Sequence, residues 1–531
     1  MSRSLKNISV VALATVASRV LGLVRESVTA AVFGASALNS AFVSAFTLPN
    51  LFRRLLGEGA LTAAFVPALT HELERNQRDG AFRLVSKVAS WLAVVTTAIV
   101  LLALLLFANA ETVVRTAVRW GVAEDTGRRL LLGADLAAVL FPYMIFVCLA
   151  AAFSAACQVL GRFAEPALSP VWLNLTILSA LGLGSWWAWG APQRMNLLCA
   201  GVLAGGFLQM AVPAGVLWRE GWRPAFDLRP DDRVREIVRI LGPTVIGSAI
   251  YLINISVSRF IGLSLNDAAA TVLNLATRLM ELPIGVFTIA VATVVFPLIS
   301  RHAAKGDWAS LTQDYHKGLR LVLVINIPAA AGLAILAEPI TRLLFEHGRF
   351  TAADTRLMVS VLAACALGLP FISFTSLALR GFYALGDTAT PVRAAALSFA
   401  VNVVLSVVLM RWLSTVGLAL ASTAAVVAQA LYLQSRLVRK DGGFAVAPLV
   451  PNLGKIAFAT VLLAAVAWGG ARGVALLDLP GRAGDFAVVL LVIPLAAALY
   501  GAVLWTLRID GREELEQIWG RMRGKRGGMA Q

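Results

Sequence analysis

Arg19, Arg25 and Glu26 lie inside an apolar run that begins near Ile8 and reads SRVLGLVRESVTAAVFG over 18–34. Arg53, Arg54 and Glu58 lie in a second run, and Arg278 with Glu281 in an eighth. Asp135, Arg259 and Arg380 interrupt others. A charge at bilayer depth costs about 2.5–3.5 kcal/mol on insertion scales, so such groups face water or partners. Arg19 and Glu26 share one stripe of a helix, and Arg25 and Ser18 share another, so a single neighbour does not cover them all. The excess is cationic, which points to an anionic cargo. The planar guanidinium fork suits phosphate oxygens and keeps its charge at any working pH, so a phosphate or pyrophosphate head group is the expected ligand. The competing reading is local pairing or snorkelling. It applies most to Arg53 and Arg54, near an interface, to the i,i+4 pair Arg54–Glu58 and to the i,i+3 pair Arg278–Glu281.

The elements that position these groups are apolar helices. The chain has 531 residues, of which 59% are hydrophobic and only 14% charged, against about 25% charged in soluble domains. Fourteen runs, from 8–33 to 485–507, each approach the roughly 20 residues that cross a bilayer. The net charge is 46 − 30 = +16. Lys and Arg concentrate in alternate loops, among them 71–83, 219–239 and 301–320, which is the positive-inside pattern and not a nucleic-acid footprint. With an even number of spans, both termini are expected to be cytoplasmic. SWWAWG at 185–190 is expected at the outer interface.

Weak internal repetition organises the runs. AAFVPAL (63–69) resembles TVVFPLI (293–299), and LGRFAEP (160–166) resembles LGDTATP (385–391), with offsets of about 230 residues. Two six-span halves in parallel orientation follow, an arrangement that transporters use. The expected sections are 1–228 (spans 1–6), 229–440 (spans 7–12) and 441–531, comprising spans 13–14 and a basic tail.

The motifs exclude several chemistries. There is no GxxxxGK[ST], HExxH or GxSxG. Cys148, Cys157, Cys199 and Cys365 lie in apolar runs without CxxC spacing, and the four histidines do not cluster, so no metal is expected. Transport by alternating access, driven by membrane potential or an ion gradient, fits better than catalysis.

These residues carry a family resemblance. The stretch 18–69, the stretch LNLATRLMELPIGVFTIAVATVVFPLIS (273–300) and ALRGFYALGDTATPV (378–392) resemble the MurJ/MviN lipid II flippases of the multidrug/oligosaccharidyl-lipid/polysaccharide exporter superfamily. The resemblance implies an all-α polytopic fold of 14 transmembrane helices, with two lobes around a central cavity and two extra C-terminal helices. It implies flipping of lipid II, an undecaprenyl-pyrophosphate glycolipid, across the bacterial cytoplasmic membrane for cell wall synthesis. Substrate binding then falls on Arg19, Arg25, Arg53 and Arg278, with Glu26, Arg54 and Glu58 beside them. The last two spans resemble those that form a groove for the lipid tail. No cofactor and no nucleic acid are implied. The expected partners are lipid II and membrane lipids, for a monomer working with the cell wall synthesis machinery. Two departures stand out. Ser40 occupies a position where some members carry Asp. Asn402 is followed by Ser406 where sodium-binding members carry Asp, which argues against a sodium site. The alternatives are a polysaccharide-unit or drug exporter of the same superfamily and, further off, a membrane glycan polymerase using Glu124, Asp125 or His347.

Overall fold

The computed structural model describes residues 3–52, 61–229 and 231–508, without the side chains of 3–10, 12, 62–63 and 240–256. Among the described residues every regular element is a helix. In chain order they are α1 Arg3–Phe33, α2 Ala37–Phe52, α3 Leu61–Ala108, α4 Ala110–Arg119, α5 Glu124–Leu140, α6 Tyr143–Val159, α7 Ala164–Trp186, α8 Ala191–Arg219, α9 Asp232–Leu265 and α10 Ala269–Pro283. After a π-helical turn at Ile284–Thr288 come α11 Ile289–Lys305, α12 Trp308–Ile335, α13 Ala337–Leu344, α14 Ala352–Ala366, α15 Leu369–Ala384, α16 Ala389–Lys440 and α17 Val450–Leu476. A second π-turn, Val488–Val492, joins α18 Ala483–Ala487 to α19 Ile493–Thr506.

Nine helices among the described residues are long and apolar enough to cross a bilayer, or ten if α5 and α6, bent by 44°, form one span. Some of these helices hold more than one of the fourteen runs in the sequence. α16 spans 52 residues, about 78 Å at 1.5 Å per residue, more than twice a bilayer core. Ser414 (φ 49, ψ −129) breaks it, so one helix holds two runs. α3 is broken likewise at Asn76 and Gln77 (φ 53).

The chain forms two compact units, Met1–Asn274 with Phe345–Asp354, and Leu275–Leu344 with Thr355–Gln531. The first unit has two apolar cores. One surrounds Phe42, Tyr143, Met144 and Leu198. The other surrounds Phe65, Phe153 and Trp222. The second unit packs Tyr315, Phe382 and Phe444 into one core, and the α17 and α19 residues Ile456, Leu463 and Tyr500 into another. Tyr500 Oη donates to the Val324 carbonyl at 2.6 Å, fixing the last helix to α12.

The basic loops are also knitted together by acids. Arg162 and Arg78 both reach Glu220, Arg233 reaches Glu72 at 3.0 Å, and Lys87 reaches Asp231. Asp231 also caps α9, accepting from Val234 N at 2.9 Å. Burial of Asp231 opposes ionisation, but Lys87 and the Val234 amide outweigh it and hold the carboxyl below its usual range.

Candidate functional site

α1 runs from Arg3 to Phe33 as one helix, through Gly22. Its charged segment is bonded within itself and to α7 and α10. Arg25 Nη2 donates to Glu26 Oε1, although adjacent helical residues do not face each other. The long arginine side chain folds around the helix to reach it. Both side chains are largely buried, 12% and 10% exposed. Glu26 Oε2 accepts a second bond from Asn274 Nδ2 at 3.3 Å. Thr29 Oγ1 donates to the Arg25 carbonyl, and Asn174 Nδ2 donates to the Ser18 carbonyl at 3.2 Å. Arg19 is half-buried one turn above Gly22 in the chain. The result is a carboxylate that accepts from Asn274 and holds the Arg25 guanidinium in place. Arg25 spends one bond of its five-donor fork on Glu26 among the described residues, so the rest can meet an anion.

The C-terminal end of α1 is locked to the segment Phe345–Phe350. Gly34 (φ +67) ends the helix, and a Cβ on it would lie 2.6 Å from the Arg349 carbonyl oxygen. A Cβ on Gly348 (φ +57) would lie 2.3 Å from the Ala31 carbonyl oxygen, and Arg349 N donates to that same oxygen at 2.8 Å. Backbone meets backbone here, so only glycine fits at either position.

A polar network ties α2 and α5 to the end of α9. Ser40 is fully buried. Its Oγ donates to the Asp267 carbonyl at 2.6 Å, lies 3.0 Å from Thr271 Oγ1 and accepts from Thr271 N. Arg259 Nη1 donates to Thr47 Oγ1 at 2.9 Å. Arg129 is buried and directs its fork at the end of α9: Nε to the Leu263 carbonyl at 3.0 Å, Nη2 to the Ser264 carbonyl at 3.0 Å and Nη1 to Asp267 at 3.3 Å. These carbonyls are the acceptors a helix end leaves unpaired.

In the second unit Arg278 Nη1 pairs with Glu281 at 2.8 Å, one turn along the same helix, with side chains 31% and 35% exposed. The π-turn that follows is pinned by buried polar groups. Asn326 Nδ2 donates to Thr288 Oγ1 at 2.9 Å, and Thr288 Oγ1 lies 2.9 Å from Ser373 Oγ. Asn402 Oδ1 accepts from Ser406 and Ser422 at 3.3 and 3.4 Å. Arg380 stacks over Phe296 at 5.8 Å. Arg53, Arg54 and Glu58 lie outside the described residues. No group of three or more His, Cys, Asp or Glu that could hold a metal occurs among the described residues.

The sequence singles out Arg25, Glu26 and Arg278 as charges within apolar runs but does not show the groups that hold them. Asn274, Arg278 and Glu281 follow i, i+4, i+7 spacing, so the stripe containing Asn274 was detectable. Asn174, Ser40 and Arg129 act across long sequence separations, and no local pattern marks them.

Among the described residues the chain is all-helical, with nine or ten helices long and apolar enough to cross a membrane and with ion pairs inside two of its apolar runs, the architecture of a multi-pass membrane protein. The family described as "Lipid II flippase MurJ" matches residues 29–476. The chain belongs to the MurJ family. A protein of Rhizobium meliloti described as "Probable lipid II flippase MurJ" is 33% identical over 465 residues, covering 87% of this chain and 85% of that protein. The solved structure "Lipid II flippase MurJ, inward closed conformation" superposes with a TM-score of 0.74 at 24% identity, over 94% of this chain and 99% of that one. A multidrug resistance MATE family transporter of the MOP superfamily, in an inward-facing conformation, superposes at 0.63 with 14% identity, over 79% and 96%. At these identities the structures bear on the fold.

Proposed function

We propose that this protein is a lipid II flippase of the bacterial inner membrane, moving the diphosphate-linked glycolipid from the inner to the outer leaflet for peptidoglycan synthesis. Family membership over 29–476 supports the activity. The observation that carries the mechanism is Arg25, held by Glu26, which is itself held by Asn274. A diphosphate needs cations whose position survives its arrival and departure, and a guanidinium braced by a satisfied carboxylate provides one. In this reading Arg19, Arg25, Arg53 and Arg278 contact the diphosphate, while Glu26, Arg54 and Glu58 orient them. The chain crosses the membrane fourteen times with both termini cytoplasmic, in two six-span lobes, and spans 13–14 accept the lipid tail. Access alternates between the two sides. Membrane potential or an ion gradient supplies the drive, worth ~2.3 kcal/mol per charge per 100 mV. Asn402 lacks the following carboxylate, so sodium is not the proposed coupling ion. The protein works as a monomer.

Complementation tests the reading. In cells depleted of their own flippase, the wild-type chain should restore growth, and Arg25→Lys and Arg278→Ala at equal membrane abundance should not. Full growth with both variants would refute the assigned roles.

A further inference from the structure

From Lys87 to Asn109, α3 rises about 33 Å, one bilayer core, so α4 starts where the hydrocarbon ends, on the face opposite the Arg78–Lys87 end. α4 reads AETVVRTAVR and is two-faced. Glu111, Arg115 and Arg119 fall on one side, with Thr112 and Thr116. Val113, Val114, Ala117 and Val118 fall on the other, and Trp120 extends that side one residue past the helix. Half of the apolar side is used inside the protein. Val114 and Val118 close over Gly127 of α5, 3.0 and 3.1 Å from where a Cβ would sit. The other half is not: Val113 is 64% exposed and Trp120 87% exposed, and no residue of α4 is buried. The lipid-facing surface of α3 leads directly to it, through exposed Leu101, Leu102, Leu105 and Leu106.

We propose that α4 and Trp120 form a membrane-surface anchor, lying in the head-group layer of the leaflet opposite the Arg78–Lys87 end. Val113 and Trp120 dip into the acyl boundary, and an indole at that depth is at its preferred position. The charges point to water: Arg115 is paired with Glu111, and Arg119 lies at the rim of a groove of about 540 Å³ between α4 and α5, within reach of a phospholipid phosphate. The occupant is the bilayer itself. Arg115 and Arg128 both pair with local acids, so the surface is not strongly cationic and does not select anionic lipid. The anchor has a consequence inside the protein. α4 rests on Gly127, and two residues on, Arg129 clamps the end of α9, so the bilayer surface steadies that end of the first unit.

Single cysteines with an environment-sensitive fluorophore test this in the full-length protein, reconstituted in phosphatidylethanolamine/phosphatidylglycerol vesicles. The four native cysteines are free, and unlabelled-background controls account for them. A probe at Val113→Cys should be blue-shifted, quenched by lipids spin-labelled high on the acyl chain, and quenched by aqueous iodide several-fold less than one at Thr112→Cys. Equal iodide quenching at 112 and 113 would overturn the proposal, placing α4 in water. Protection at 113 without quenching by spin-labelled lipid would also overturn it, placing Val113 against protein. Thr112→Cys is exposed and outside the packing face, so folding of the control is not at issue.

Discussion

The two arginine–glutamate pairs differ in ways that matter for a transporter. Arg25–Glu26 joins neighbouring residues, is about nine-tenths buried, and has its acid held again by Asn274. Arg278–Glu281 joins residues one turn apart, and each side chain is about one-third exposed. Removing one member of a buried pair strands a charge and costs about 3–5 kcal/mol, whereas an exposed pair is worth about 0–1 kcal/mol. In the proposed mechanism the first pair is therefore both brace and contact, whereas the second allows contact to be tested apart from stability.

Breaking the comparison at its strong end should give the largest effect. Arg25→Ala leaves Glu26 buried beside Asn274 and should destabilise the first unit by ~3–5 kcal/mol, read as lost abundance and a lower melting temperature in detergent. Replacing both residues, as Arg25→Met with Glu26→Leu, should recover much of the stability and none of the transport. Equal melting of Arg25→Ala and wild type would show that the pair is not an internal brace.

Arg129→Ala comes next. It strips the α9 carbonyls of charge-assisted donors worth about 1.5–3 kcal/mol each, and hydrogen exchange at residues 259–265 should quicken. Ser40→Ala should cost about 1–3 kcal/mol, because it leaves buried partners at Asp267 and Thr271 unsatisfied. Ser40→Asp would put a carboxylate against the Asp267 carbonyl and should be worse than alanine.

Arg278→Ala sharpens the weak end, with a stability change within about 1 kcal/mol and a transport loss that is nearly complete. The smallest effect is outside the membrane. Asp387 joins the α15–α16 turn to Lys440 at 2.9 Å. Burial there disfavours charge, but the Thr390 amide, Lys440 and the Thr390 hydroxyl together hold the carboxyl at about 2, below 3.8. Its contribution is complete above pH 3.8 and is lost as pH falls through about 2, so Asp387→Asn and wild type should differ by a constant amount between pH 5 and 8 in melting experiments.

Much of this was legible in the sequence, for identifiable reasons. Apolar runs report burial directly, and charges within them are rare enough to stand out, which is why Arg19, Arg25, Glu26 and Arg278 are the candidates the sequence offers. Helix breaks are less visible. Gln77 and Ser414 take positive φ without being glycine, so no residue type marks the two places where helices turn. The wheel placed Arg25 and Glu26 on different stripes, and the structure joins them because an arginine is long enough to bridge a third of a turn. α4, Ala110–Arg119, is a two-faced helix too short to register as an apolar run. Backbone locks such as Ala31–Arg349 leave only a glycine behind, and their partner lies over 300 residues away.

The central claim is that these cations move a diphosphate lipid through the bilayer. The most direct measurement is the amount of lipid II exposed at the outer face in depleted cells carrying wild-type or Arg278→Ala protein at matched abundance. The account predicts outward exposure with wild type and accumulation at the inner face with the variant. Equal outward exposure in both would contradict it.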